Sequence, residues 1–278
     1  MRIRVAHSPD SDDAFMFYPL VSGAVDREGI EIEHVLADIE TLNREALKGT
    51  YEVSALSFHA YPYVADKYLV LPSGGSVGDG YGPVVVAKEN LETLRGKKVA
   101  VPGKLTTAYL TLKLFEPEFE PLEVPFDRIM DAVLEGRADA GVVIHEGQLT
   151  YRDRGLVKVI DLGEWWKEKT GLPLPLGCNI VRRDLGPDLI RKIERLMRRS
   201  VETALKKMDE ALSYAIEYAR DLKDDPERTR RFVRMYVNRY TLDYGKEGRE
   251  AVRLLLKMGR EKGVIGVDIP AVIFSDEL

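Results

Sequence analysis

The 278-residue sequence is poor in the residues that build disulfide frameworks and metal centres. Cys178 is its only cysteine, which excludes a disulfide within the chain and disfavours a cysteine-based zinc site. No apolar run approaches the ~18–20 residues of a membrane-spanning helix. The 41 basic and 46 acidic residues give a formal charge of −5 and not the basic excess typical of a nucleic-acid-binding domain. The composition therefore predicts a soluble protein with no membrane span, no metal and no nucleic-acid partner.

Motifs that mark common enzyme classes are missing as well. The sequence has no Gly-x-Ser-x-Gly of serine hydrolases, no dinucleotide-binding Gly-x-Gly-x-x-Gly and no His-Glu-x-x-His of zinc proteases. The glycine-rich residues 74–82 lack the Lys-Ser/Thr ending of a phosphate-binding loop, and we predict a mobile connection there. The N-terminus alternates like a strand and has no basic and apolar leader, which predicts a cytoplasmic protein.

The sequence does contain an alternation of strand-like and helical segments. Short β-branched runs predict strands at residues 3–6, 30–35, 69–71, 84–87, 98–101, 140–144, 157–162 and 179–181. Between them apolar residues follow helical spacing, for example after Asp38 and Asp127, which we predict to be helix caps. The chain is mostly helical after residue 187. The pattern predicts an α/β fold with mixed, mostly parallel sheets flanked by helices and a helical C-terminal region.

The chain is predicted to form two lobes. Residues 83–107 resemble the start of the second domain in type II periplasmic-binding-protein folds, where one strand crosses between the lobes and a later strand returns. With residues 179–181 as the return strand, the larger lobe comprises residues 1–87 and 179–278, and the smaller lobe comprises residues 88–178. We expect a ligand cleft between the two lobes.

Two segments are predicted to face this cleft where a strand ends and a helix begins, at residues 8–15 and 106–108. Free N–H groups at a helix N-terminus attract anions, and both segments are suited to hold a carboxylate. In residues 106–108 one threonine can cap the helix while the other binds the ligand. In residues 8–15 an equally good interpretation is that Ser11 or Asp12 only caps a helix, while a metal site there would lack further ligands.

Two other strand ends carry polar side chains. Ser57 ends one strand-like run and is a weak signal by itself. His145 ends an apolar run that is typical of a buried strand. Imidazole titrates near neutral pH and can act as a general base, so His145 is a candidate catalytic residue. The alternative, a structural histidine held by a neighbour, is also our interpretation of the other three histidines.

Several short motifs occur in a distinctive combination. They are Ser8-Pro9 with Asp13 and Phe15; residues 38–43; Leu56-Ser57; residues 73–75; residues 101–103 with 106–109; residues 144–146 with Thr150-Tyr151; residues 161–163 with Trp165-Trp166; and residues 170–177. Together they resemble the 1,4-dihydroxy-6-naphthoate synthase family of the futalosine route to menaquinone. The similarity extends through nearly the whole chain, and residues 145–177 are its most specific part.

The resemblance implies a cytoplasmic lyase on a periplasmic-binding-protein type II scaffold. Its substrate would be cyclic dehypoxanthinyl futalosine, a small-molecule carboxylate. Cleavage of a carbon–carbon bond would expel a sugar-derived fragment and yield 1,4-dihydroxy-6-naphthoate. The resemblance implies no cofactor, and neither it nor the sequence predicts an oligomeric state. By position, His145 is expected to be the proton acceptor. The expected substrate-binding residues are Ala55, Leu56, Ser57, Thr107 and Ala108, with Asn43 as a further cleft residue.

One segment departs from the family pattern. Where the family reads Ser-Pro-Cys-Pro-Asn-Asp-Thr-Phe, this chain has Asp10, Ser11, Asp12 and Ala14, which adds negative charge beside a proposed anion site. Two alternative functions remain open: a non-catalytic solute-binding protein for a small carboxylate, and the related chorismate dehydratase. The missing leader argues against the first alternative, and the Ile-His-Glu and double-Trp motifs argue against the second.

Overall fold

The computed structural model describes residues 1–219 and 222–277, which alternate between strands and helices. The strands are β1 (Arg2–His7), β2 (Glu31–Leu36), β3 (Val53–Ser57), β4 (Tyr68–Val70), β5 (Ser76–Gly78), β6 (Val84–Ala87), β7 (Lys98–Val101), β8 (Glu120–Glu123), β9 (Ala140–Val143), β10 (Val157–Asp161) and β11 (Leu174–Arg182). The helices are α1 (Ser11–Val21), α2 (Ile39–Lys48), α3 (Thr107–Phe115), α4 (Ile129–Leu134), α5 (Gly147–Thr150), α6 (Leu162–Thr170), α7 (Pro187–Lys206), α8 (Met208–Ile216), α9 (Pro226–Tyr236), α10 (Arg239–Leu242) and α11 (Gly245–Glu261). The eight predicted strands are all present, β3 contains the strand-like run that ends at Ser57, and β5 and β8 are additional.

The strands form two mixed sheets. The larger sheet has the order β2-β1-β3-β11-β4, with β5 also paired to β11, and the smaller sheet has the order β10-β6-β9-β7-β8. In the larger sheet β1 is parallel to β2 and β3, and in the smaller sheet β7 is parallel to β8 and β9. The strands that link the sheets, β6 and β11, run antiparallel to all their neighbours. The sheets are therefore mixed, as predicted, but less parallel than expected, because each linking strand arrives from the other sheet.

These two linking strands also correct the predicted boundaries between the lobes. The prediction assigns residues 84–87 to the larger lobe, whereas β6 pairs with β9 and β10 of the smaller sheet. It assigns residues 174–178 to the smaller lobe, whereas they form the first half of β11 in the larger sheet. Sheet membership places the two connections near residues 79–83 and 171–173.

Local sequence accounts for the ends of several helices, of which α2 is the clearest. The Asp38 carboxylate accepts a hydrogen bond from Thr41 N at 3.0 Å, as predicted for a cap, and Gly49 closes α2 with φ of 73°. The prediction that Asp127 caps a helix is wrong. Asp127 lies within a 3₁₀ turn that follows Pro125, and the residue at the N-cap position of α4 is Arg128. The tighter turn begins after the proline, and the start of the helix moves by one residue.

The glycine-rich residues 74–82 are part of the larger sheet and not only a connection. They contain β5, which pairs with β11. A Cβ atom at Gly75 would lie 1.8 Å from the Tyr244 hydroxyl, and one at Gly78 would lie 1.9 Å from the Tyr81 carbonyl oxygen. Glycine is needed at these two positions because other groups approach the backbone closely.

Apolar clusters cover both faces of the larger sheet. One cluster packs α1, α7 and α8 against β1, and a second packs α11 against β4 and β11. Two further clusters cover the faces of the smaller sheet. The C-terminal helices are thus an integral part of the larger lobe. Within residues 1–219 and 222–277, no helix has the length and apolarity needed to cross a membrane.

Candidate functional site

A cleft lies between the two sheets, with about 770 Å³ of space that no protein atom fills, including its open mouth. Segments at the ends of β1 and β3 form one side, and the start of α3 and the residue after β9 form the other, which is a usual ligand position in open α/β sheets. Most of the predicted substrate-binding residues line the cleft: Ala55, Leu56, Ser57, Thr107 and Ala108. The predicted residues Asn43 and His145 do not.

Asn43 stands behind the cleft wall and orients Ser57. It is fully buried, and its Oδ1 accepts a hydrogen bond from Ser57 N at 2.8 Å. Its Nδ2 donates to Ser57 Oγ at 3.1 Å. Because Ser57 Oγ is the acceptor in that bond, its own proton is free to be donated elsewhere. Asn43 therefore supports a cleft residue and is not one itself.

The N-terminus of α3 is the second donor group. Thr106 is the cap: its hydroxyl accepts from Tyr109 N at 3.2 Å and donates to Gly103 O at 2.7 Å. The Thr107 hydroxyl donates to Leu176 O at 2.5 Å, so it is committed to the protein, contrary to the expectation that the second threonine side chain binds the ligand.

The backbone of the same helix start provides the donors instead. As the first residues of α3, Thr107 and Ala108 have N–H groups with no carbonyl one turn earlier in the helix. Both residues line the cleft, and no acceptor for these two N–H groups is found within the described part of the chain. Such N–H groups, at the positive end of the helix dipole, favour an anion.

The acidic loop lies on the opposite side of the cleft. Asp10, Asp12 and Asp13 all line it. Neither Ser11 nor Asp12 caps α1; Asp10 occupies the N-cap position without a side-chain cap bond. Asp13 accepts from Ser8 N at 2.9 Å. Burial raises the pKa of Asp13 to about 6, and burial together with the neighbouring carboxylates raises the pKa of Asp12 well above its ordinary value.

In the described part of the chain, which includes this loop, no group of three or more His, Cys, Asp or Glu residues is arranged to hold a metal ion. The residues that line the cleft also include no lysine, arginine or histidine among those described. A bound carboxylate would therefore be held by hydroxyl and N–H donors and not by a cationic side chain.

His145 follows β9 and lies just behind the cleft wall. Its neighbour Ile144 lines the cleft, but the imidazole is buried, 3% exposed, and packs edge-to-face on Phe126 with ring centroids 5.5 Å apart. Its Nδ1 accepts a hydrogen bond from Gly147 N at 3.0 Å. A neutral ring held in this way carries its proton on Nε2. The structure thus places His145 next to a residue that lines the cleft without exposing the imidazole to it.

Glu146, next to His145, links the two sides of the cleft. Its Oε1 accepts a hydrogen bond from Ser11 Oγ at 2.7 Å, and its side chain is fully buried. Burial, and secondarily the charge of Asp10, raises the pKa of Glu146 to about 7. A second bond across the cleft joins Tyr236 Oη to Gln148 Oε1 at 2.6 Å.

Several cleft residues were missed by the sequence reasoning. Gln148 and Tyr236 both line the cleft, as does Asn179 in the middle of β11. The position of Asn179 could have been recognised from the sequence, because a polar amide at the start of an apolar strand-like run is unusual. The position of Tyr236 could not, since the last turn of α9 reaches the cleft only through tertiary packing.

The two sheets and the cleft between them define a periplasmic-binding-protein fold. The alkanesulfonate-binding protein of Xanthomonas axonopodis pv. citri, solved with bound MOPS, superposes with a TM-score of 0.71 at 12% identity, covering 99% of this chain and 96% of that one. A Candida albicans protein with the generic periplasmic-binding-protein fold gives a TM-score of 0.65 at 13% identity, covering 98% and 99%. At such low identity these similarities establish the fold alone.

Closer relatives establish the family. The family model for menaquinone biosynthesis matches residues 3–261. The 1,4-dihydroxy-6-naphthoate synthase of Thermus thermophilus is 47% identical over 94% of this chain and 95% of its own length, and that of Streptomyces coelicolor is 37% identical over 95% and 94%. A crystal structure of an Archaeoglobus fulgidus protein has 54% identity and a TM-score of 0.91, covering 95% and 98%. The chain belongs to the 1,4-dihydroxy-6-naphthoate synthase family and is an enzyme of menaquinone biosynthesis.

Proposed function

We propose that this chain is a carbon–carbon lyase that converts cyclic dehypoxanthinyl futalosine to 1,4-dihydroxy-6-naphthoate in the cytoplasm. The observation that carries the proposal is the 47% identity to a 1,4-dihydroxy-6-naphthoate synthase across 94% of the chain. The cleft supports it, because its residues offer donors for a carboxylate. The proposed reaction needs no metal and no organic cofactor.

The substrate carboxylate is proposed to bind at the donor side of the cleft. Ser57 Oγ and the backbone N–H groups of Thr107 and Ala108 supply the hydrogen bonds, while Ala55 and Leu56 form the adjoining wall. Hydrogen bonds to an ionised group are about twice as strong as those between neutral groups. The acidic loop on the opposite side repels the carboxylate and so favours one orientation of the substrate.

His145 is the proposed general base. Proton removal starts the electron flow that breaks the carbon–carbon bond and expels the sugar-derived fragment, and formation of the aromatic product supplies driving force. In the present conformation Nδ1 accepts from Gly147 N, so proton acceptance there requires this bond to open. The proposal therefore includes a movement of residues 145–147 when substrate binds, which turns Nδ1 toward the cleft. Exclusion of water from the cleft would keep the imidazole neutral and therefore available to accept the proton.

The test is a turnover assay with the purified chain and cyclic dehypoxanthinyl futalosine, with 1,4-dihydroxy-6-naphthoate as the measured product. We expect the unmodified chain to form product and His145→Ala to lose at least 100-fold in kcat, the lower end of a general-base contribution. His34→Ala is the matched control, because His34 lies on β2 and does not line the cleft.

Three outcomes would contradict parts of the proposal. Unchanged turnover by folded His145→Ala would exclude the assigned base. Tight binding of the futalosine derivative without turnover would favour a solute-binding protein. Conversion of chorismate in place of the futalosine derivative would favour the related dehydratase.

A further inference from the structure

The cleft contains a buried hydrogen-bond acceptor that the protein leaves unsatisfied. Asn179 is 1% exposed and lines the cleft. Its Nδ2 donates to Gly74 O at 2.6 Å, which fixes the orientation of the amide. Its Oδ1 is buried and accepts no hydrogen bond from any residue that the structure describes. A buried amide oxygen without a donor is costly and uncommon, so a donor from a ligand is the natural complement.

Asp12 adds a second acceptor to the same side. Its only hydrogen bond from a side chain in residues 1–219 and 222–277 comes from Ser76 Oγ at 3.3 Å, which is long for a bond between two oxygens. Ser76 lies two residues after Gly74, the partner of Asn179, and both residues line the cleft. Asp12 and Asn179 are thus connected through one short segment of chain.

The strand register separates these acceptors from the donors. Gly177 of β11 pairs with Ser57 of β3 on one side and with Ser76 of β5 on the other. Neighbouring strands lie about 4.8 Å apart, so Ser76, which donates to Asp12, is about 10 Å from Ser57. Asn179 pairs with Ala55 of β3 and is a diagonal neighbour of Ser57, about 7–8 Å away. Ser57 and the start of α3 present donors, whereas Asn179 and Asp12 present acceptors. A ligand that satisfies both carries a carboxylate at one end and hydroxyl donors at the other.

We infer that Asn179 and Asp12 form a subsite for the hydroxyl-bearing part of the ligand, in which Asn179 Oδ1 accepts a hydrogen bond from a ligand hydroxyl. Only one step rests on the proposed function, namely that the hydroxyl-bearing part of the ligand is the sugar-derived fragment that the reaction expels. Recognition of hydroxyl groups at acceptors set apart from the carboxylate donors follows from the strand register and holds for any ligand of that kind.

The first test needs no turnover and compares two probes by calorimetry. Gluconate and hexanoate both have six carbons and one carboxylate, but only gluconate carries hydroxyl groups. We expect the unmodified chain to bind gluconate more tightly. Asn179→Ala should lower the ratio of gluconate to hexanoate affinity about five-fold, which corresponds to the loss of one hydrogen bond. Ser73→Ala is the matched control, because Ser73 Oγ is also buried without a partner in the described chain but does not line the cleft.

Asp12→Ala is the second variant and keeps the test decisive if Asn179→Ala fails to fold. Asp12 is only half-buried and lies in the first turn of α1, and the same fall in the affinity ratio is expected. Equal affinity of the unmodified chain for the two probes would overturn the inference. So would an unchanged ratio in both folded variants, or a fall of the same size in Ser73→Ala.

The second test uses the proposed substrate and product. The product retains a carboxylate but lacks the sugar-derived part, so Asn179→Ala should raise KM for cyclic dehypoxanthinyl futalosine about five-fold and leave the inhibition constant of 1,4-dihydroxy-6-naphthoate unchanged. An equal loss of affinity for substrate and product would overturn the assignment of the subsite to the sugar-derived fragment. If the chain does not turn over the substrate, the proposed function fails. The ratio of gluconate to hexanoate affinity then still tests whether the subsite exists.

Discussion

Asn43 and Ser57 are joined by a pair of hydrogen bonds that makes the serine a donor toward the cleft. Asn43 Oδ1 accepts from Ser57 N at 2.8 Å, and Asn43 Nδ2 donates to Ser57 Oγ at 3.1 Å. On the buried side, Ser57 Oγ accepts the hydrogen bond from the Asn43 amide. The hydroxyl proton of Ser57 can therefore be donated to a ligand in the cleft, where the N-terminus of α3 provides further donors.

The first prediction concerns this pair. Asn43→Ala leaves the buried Ser57 N–H without an acceptor and should lower the free energy of unfolding by about 1–3 kcal/mol, measured in urea. It should also raise KM, because Ser57 is no longer oriented. Ser57→Ala is the comparison: it should raise KM while it changes stability less, since Asn43 still accepts from residue 57 N. Equal loss of stability in the two variants would argue against this division of roles.

The second prediction concerns Gly177, between the donor and acceptor sides. A Cβ atom there would approach Leu56 O to 3.6 Å and the Ser76 side chain to 3.9 Å, both ordinary contact distances. Gly177→Ala should therefore fold with an unchanged thermal midpoint but raise KM, because the methyl group enters the cleft. Gly266→Ala is a matched control outside the cleft, with its nearest contact at 3.9 Å. A normal KM for Gly177→Ala would show that the ligand does not approach this strand.

Much of the architecture could be predicted from the sequence, because strand and helix periodicity are local properties. Sheet membership of β6 and β11 could not, since it depends on pairings between distant residues. At the site, Ser57 and Thr107 lie at strand and helix ends that local sequence identifies. The contributions of Asn179 and Tyr236 depend on how distant elements pack.

The orientation of the His145 side chain also could not be predicted from the sequence. Its position after a buried strand was predicted, but the hydrogen bond from Gly147 N to Nδ1 is set by the turn that follows β9. Likewise, the sequence predicts that one threonine at the start of α3 caps the helix and that the hydroxyl of the other binds the ligand. The Thr107 hydroxyl instead binds Leu176 O, because β11 extends further than the predicted residues 179–181.

The third prediction follows from the pKa of Glu146, which burial raises from an ordinary 4.5 to about 7. Between these values the folded chain binds more protons at this site than the unfolded chain. Its contribution to stability is therefore present at low pH and is lost as pH rises from about 4.5 to about 7, with a slope of at most about 1.4 kcal/mol per pH unit.

Glu146→Gln isolates this effect, because glutamine can still accept a hydrogen bond from Ser11 and carries no charge. The variant should match the unmodified chain near pH 4.5 and be more stable than it at pH 8. Urea unfolding at several pH values measures the difference, and taking the difference cancels the titration of groups that do not interact with Glu146, such as His7, whose pKa burial lowers to about 3. A stability difference independent of pH would contradict the assigned pKa.

A crystal structure of His145→Ala with unreacted cyclic dehypoxanthinyl futalosine is the most direct test of where the substrate binds. We expect the substrate carboxylate about 2.7–3.2 Å from Ser57 Oγ and from the N–H groups of Thr107 and Ala108. We also expect hydroxyl groups of the sugar-derived part at Asn179 Oδ1. A carboxylate bound beside the acidic loop, or a substrate seated outside the cleft against Phe126, would contradict this placement.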